Sequence, residues 1–156
     1  MAYPTVDKPY GLKPINLIGG QVFAGATRQL VIANTSGTGY NTNIFCGDFV
    51  QLTSGYVNIL ANTIAGNAAV GVFLGCSYTN PTTKQKLFSQ NYPGSVAAGD
   101  IQAIVTDDPD TVFKAAMVTA NGSTTIASGS QAIVGLNLAG SDLAGSATTG
   151  DSACGL

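Results

Sequence analysis

The chain has no histidine, no glutamate and no tryptophan. Without an imidazole there is no Ser-His-Asp triad, no Cys-His pair and no histidine metal ligand. Without glutamate, any carboxylate chemistry falls to aspartate alone. Charge of either sign is scarce. Six Lys or Arg and eight Asp make up 9% of the 156 residues, against about 25% in ordinary soluble domains. A zinc centre would have to draw its ligands from three cysteines and eight aspartates, with no clustering of the two residue types to support it. The absences argue against an enzyme, so neither a cofactor nor a metal is expected.

The six basic residues, Lys8, Lys13, Arg28, Lys84, Lys86 and Lys114, are scattered, and the net charge is −2. Nucleic-acid binding requires a basic stripe that neutralises phosphates and releases counterions. Attraction to an anionic membrane has the same requirement. Neither partner is expected. Two stretches, between Asp48 and Lys84 and between Lys114 and Asp142, hold no charge at all. They are not membrane spans. The first is interrupted by Asn58, Asn62, Asn67, Asn80 and four glycines, whereas a span needs about 18–20 consecutive apolar residues. Residues 1–11 show no apolar core of a secretory signal. Cys46, Cys76 and Cys154 are odd in number and widely spaced. They read as free thiols of a protein made in a reducing cytoplasm, with a Cys46–Cys76 bridge as the alternative.

What replaces charge is neutral polarity. Asn, Gln, Ser and Thr account for 46 residues and Gly for 20. Free monomers usually keep charge on the surface for solubility, so this composition suits a subunit of a larger assembly. The alternative is a monomer kept dispersed by its Asn and Thr.

Residues 1–28 form a distinct segment. Pro4, Pro9 and Pro14 recur at every fifth position, a spacing that blocks a helix and disfavours an interior strand. Yet Tyr3, Tyr10, Leu12, Ile15, Leu17, Ile18, Val22 and Phe23 give the segment apolar anchors. It reads as an extended arm that lies on a surface, either its own domain or a neighbour. Residues 29–138 read as a β-domain. Short strands are expected at 29–33, 43–52 (with Gly47-Asp48 in its middle marking a bulge or a close backbone approach), 56–60, 69–76, 86–91, 101–106, 111–119 and 131–138. The stretch after Asp108-Pro109 also suits a short capped helix. Asn121-Gly122 is the strongest hairpin signal, because Asn-Gly supplies both positive-φ positions of a type I′ turn. Residues 139–156 form a Gly/Ser/Ala/Thr-rich C-terminal segment. No sustained 3.6-residue apolar period appears. The expected fold class is therefore all-β, a compact sandwich or barrel of about eight short strands with an extended N-terminal arm.

Asp107-Asp108-Pro109-Asp110 is the one acidic cluster in the sequence. An EF-hand loop would need Gly at its sixth position and Glu at its twelfth. The sixth residue from Asp107 is Val112 and the chain holds no Glu. The run reads as a solvated turn with Pro109 fixing φ, and a calcium loop of another kind is the alternative. Neither a phosphate-binding loop nor a nucleophile elbow occurs. The six Tyr and six Phe are spread evenly and read as core or interface fillers.

Four strings bring a family into view. They are Pro9-Tyr-Gly-Leu-Lys-Pro14, Phe45-Cys-Gly-Asp-Phe-Val-Gln-Leu52, Gly71-Val-Phe-Leu-Gly-Cys-Ser-Tyr78 and Asp107-Asp-Pro-Asp-Thr-Val-Phe-Lys114. In this order and spacing they resemble small structural proteins of tailed bacteriophages, particularly marine and cyanobacterial ones, held to be capsid decoration (cement) proteins. The resemblance implies a non-enzymatic β-domain on the exterior of the virion capsid. Its partners would be the major capsid protein and further copies of itself, a homo-oligomer on the shell. Tyr3, Tyr10, Leu12, Ile15 and Phe23 of the arm are the candidate capsid contacts. Deleting residues 1–20 should then abolish shell binding and leave the β-domain folded. The alternatives are another virion component (a tail, neck or head-fibre protein) or a carbohydrate-binding β-sandwich.

Overall fold

The computed structural model describes residues 8–33, 39–60 and 68–156. Tyr3 lies outside them. The chain is all-β. Its strands are β1 (Lys13–Leu17), β2 (Arg28–Val31), β3 (Phe49–Thr53), β4 (Tyr56–Ile59), β5 (Gly71–Thr79), β6 (Lys86–Ser89), β7 (Gln102–Thr106) and β8 (Thr111–Lys114). Six form one antiparallel sheet in the order β2-β7-β5-β3-β4, with β6 also paired to β5. The other two, β1 and β8, form a small antiparallel sheet.

β5 organises the layers. It is buried along almost its whole length, as expected of a strand covered on both faces. Val72 and Leu74 face one core, together with Leu12, Phe49, Phe113 and Cys154. Phe73 faces the other, with Ile44, Val57, Tyr92 and Val105. Strict alternation would then turn Cys76 and Tyr78 away from Phe73. The register against β7 slips between Phe73 and Gly75, and this bulge resets the parity. Cys76 and Tyr78 consequently join the same core as Phe73. Leu12 and Phe113 bring the β1–β8 sheet over the Val72 face, which makes a sandwich. On the other side, edge strands β2 and β4 approach one another. They meet only through the Ile32–Val57 bridge, so no barrel closes.

Several sequence expectations change at this level. The expected strand at 43–52 is broken. Its first half is held by isolated bridges from Ile44 to Tyr92 and from Cys46 to Asp151, and β3 begins only at Phe49. Gly47 (φ +98°) and Asp48 make a turn there. The expected strand at 131–138 is a short 3-10 helix, Gln131–Ile133, followed by an exposed segment. Nothing in the described chain offers that segment a ladder partner. Asn121-Gly122 does not join two strands. Its flanks meet only in the Val118–Ile126 bridge. The two-residue hairpin with positive φ at both central positions is instead Ser54-Gly55 (φ 51° and 84°), between β3 and β4. Finally, the arm contains a strand, β1. Pro14 is tolerated there because the β1–β8 register slips between Pro14 and Asn16.

Both terminal segments are tied to the body. The Gly11 N–H donates to the Cys154 carbonyl, the Cys46 N–H to Gly150 and the Ser152 N–H to Cys46. Val118 and Leu156 are also joined by a backbone bond.

Candidate functional site

The turn at Gly47-Asp48 is where the chain's two ends converge. The Gly47 N–H donates to the Phe73 carbonyl at 2.7 Å, and the Phe73 N–H donates to the Asp48 carbonyl at 2.9 Å. A carbon at the Cβ position of Gly47 would lie 2.9 Å from Gly11 Cα and from the Leu12 nitrogen. The arm therefore crosses the turn at backbone contact. This is what seats Leu12 in the core.

Asp48 is fully buried. Its Oδ2 accepts from the Phe45 N–H at 2.7 Å, and the Ser152 side chain favours its charged form. The Cys154 thiol lies 3.5 Å from Asp48 Oδ1 and 3.3 Å from Asp142 Oδ1. Burial pushes the Asp48 carboxyl up to about 6 and raises Asp142 as well. Burial, with Asp48 adding to it, pushes the Cys154 thiol up to about 12. The thiol therefore stays protonated and donates one proton at a time to two acids. Asp48, Asp142 and Cys154 present oxygen and sulfur donors within 4.8 Å of one another, a set no sequence spacing suggested. Asp48 Oδ2 is held by the Phe45 N–H, and the protonated Cys154 thiol lies between the two acids. The cluster is a hydrogen-bonded tie between the β3 turn and the C-terminal segment.

Beside Asp142 opens a groove of about 520 Å³, with Asn41, Thr42 and Asn43 on its polar rim and Phe45 and Ile59 on its apolar side. Asp142 is the one charged group among the described residues that line it.

The arm's candidate contacts separate into two groups. Leu12 is 6% exposed and packs inside. Tyr10 is half-buried, with the Lys13 ammonium 5.7 Å from its ring centroid. Phe23 is also half-buried. Ile15, by contrast, is 54% exposed. It is joined by two further apolar residues of the arm that were not among the candidate contacts, Ile18 and Val22, at 66% and 79%. A tight reversal after β1 presents them. The Leu17 N–H donates to the Gln21 carbonyl, Asn16 bridges to Val22, and the Ile18 N–H is anchored on the Asp110 carbonyl. Gly19-Gly20 was the available signal for that reversal. A second exposed apolar group, Val134, Leu136 and Leu138, occupies the segment expected to be a strand.

The acidic run is a turn between β7 and β8. Asp107 pairs with Arg28 at 3.0 Å. Asp108 Oδ1 accepts from the Asp110 N–H, and the Asp108 carbonyl accepts from the Thr111 N–H. All three cysteines are free thiols.

No family model, curated protein or solved structure matches this chain.

Proposed function

We propose that this protein is a non-enzymatic virion component that binds the outer surface of an assembled phage capsid and stabilises it, as a decoration or cement protein. The observation that supports this most is the pairing of a neutral surface with two exposed apolar groups. Ile15, Ile18 and Val22 stand on a backbone-anchored reversal, and Val134, Leu136 and Leu138 stand on a separate segment. Groups of exposed aliphatic side chains are a feature of interaction surfaces. Low charge removes the desolvation cost that salt-rich surfaces incur on docking. On a shell, each modest contact is repeated between neighbouring copies, so avidity replaces single-site affinity. Binding the assembled lattice and not free subunits raises shell stability by mass action. The major capsid protein is the proposed partner, with further copies of this chain on the shell.

The deciding experiment counts this chain against the major capsid subunit in purified particles by quantitative mass spectrometry. Comparable copy numbers support decoration. A handful of copies moves the protein to the tail, neck or a head fibre, and absence removes the virion reading. The groove by Asn41, Thr42, Asn43 and Asp142 favours one other reading, carbohydrate binding. Its neutral amides and hydroxyl suit sugar hydroxyls, and a glycan array tests it.

A further inference from the structure

Asn121-Gly122 stood out in the sequence, yet it joins no strand ladder. Its covalent chemistry is more distinctive than its turn geometry. In an Asn-Gly pair the glycine nitrogen reaches the asparagine side-chain carbonyl without a Cβ in the way. The chain has eleven Asn, and at the other ten the following residue is Thr, Ile, Leu, Ala, Pro or Tyr. Asn121 and Gly122 are both exposed. A Cβ built on Gly122 would meet nothing within 4 Å, so no neighbour crowds the glycine Cα.

We propose that Asn121 is a site of spontaneous covalent modification, at which the side-chain amide is lost through a cyclic succinimide to give aspartate and isoaspartate. The Gly122 nitrogen bonds to Asn121 Cγ as the Cγ–Nδ2 bond breaks. The proton of the Gly122 N–H leaves with the departing amide as ammonia. Water then opens the ring. Attack at Cγ gives aspartate, and attack at the main-chain carbonyl gives isoaspartate. Water is the only co-reactant, and nothing is oxidised or reduced.

The fold supplies a restraint. The Gly122 N–H donates to Ser141 Oγ at 2.9 Å. Ser141 is buried and paired through its backbone with Gly155. The attacking nitrogen must release that bond, so the reaction proceeds when the contact between this turn and the C-terminal segment opens. The product places a carboxylate in a stretch that has no charge from Lys114 to Asp142. It lies at a cleft of about 370 Å³ lined by Val118, Ala139 and Leu156. A neutral, partly apolar recess would become acidic as the protein ages.

The test is to incubate the full chain at neutral pH and physiological temperature and follow each asparagine by peptide mapping, with isoaspartyl-specific enzymatic methylation to identify the isomer. The acid form should accumulate at Asn121 before any other asparagine, mostly as isoaspartate. Gly122→Ala should slow it at least about tenfold, the equivalent of about 1.4 kcal/mol in barrier. Ser141→Ala, checked for retained β-structure by circular dichroism, should speed it. Reaction at another asparagine first, or an unchanged rate in Gly122→Ala, overturns the proposal. An unchanged rate in folded Ser141→Ala overturns the restraint.

Discussion

The Cys154 thiol lies 3.5 Å from Asp48 Oδ1, across 106 residues of sequence. This contact closes the C-terminal segment onto the turn that precedes β3, inside the core that also holds Leu12. A thiol is a weak donor, so it offsets little of the cost of burying charge on Asp48, which burial holds toward its protonated form.

That condition makes stability depend on pH. The Asp48 carboxyl is raised in the folded chain to about 6, above the ordinary aspartate value near ~4. Folding therefore favours its protonated form. The contribution is fully present below about pH 4 and is lost as pH rises through about 6, amounting to on the order of 3 kcal/mol for a shift of about two units. Asp142, raised in the same direction, adds to the trend. Urea melts from pH 4 to 8 should show falling stability, and Asp48→Asn should flatten most of that fall. A flat wild-type profile would show that the cluster is solvated.

Leu12 and the Ile18–Val22 pair should respond in opposite ways. Leu12 is packed against Val72 and Cys154, so Leu12→Ala should cost about 2–4 kcal/mol of stability. It would also make deletion of residues 1–20 destabilising in itself. Ile18→Ser with Val22→Ser removes exposed side chains and should leave the thermal midpoint nearly unchanged. On the proposed function, the double variant should bind expanded shells at least about tenfold more weakly. Sedimentation with stripped particles, alongside calorimetry of the free protein, separates the two effects.

Gly47→Ala should be among the most damaging single-carbon changes. The position combines a positive φ with a site where Cβ would lie 2.9 Å from the backbone of residues 11 and 12. The left-handed conformation alone costs about 1–2 kcal/mol for a residue with a Cβ, and the displaced crossing should raise the loss to about 2–4 kcal/mol. Amide exchange should show added opening at residues 11–12 and 152–154, with the β5–β7 ladder unaffected.

The sequence by itself determined the all-β class and the positions of most strands. Short apolar runs punctuated by Thr53-Ser54-Gly55, Asn80-Pro81 and Asp108-Pro109 are local signals, and β3, β4, β5, β7 and β8 each begin or end near them. It also determined the poverty of catalytic groups and the neutrality of the surface. Tertiary structure decided the rest, because the causes lie far apart in the chain. Residues 131–138 look like a strand but find no described partner to complete a ladder. Residues 13–17 look unsuited to one because of Pro14, yet β8 accepts them through a slipped register. Leu12 and Ile15 look alike in sequence. The close crossing of Gly11 over Gly47 sends one inward and leaves the other in water. Asp48, Asp142 and Cys154 meet only because both ends of the chain are drawn to one turn, and no periodicity within any one segment encodes that meeting.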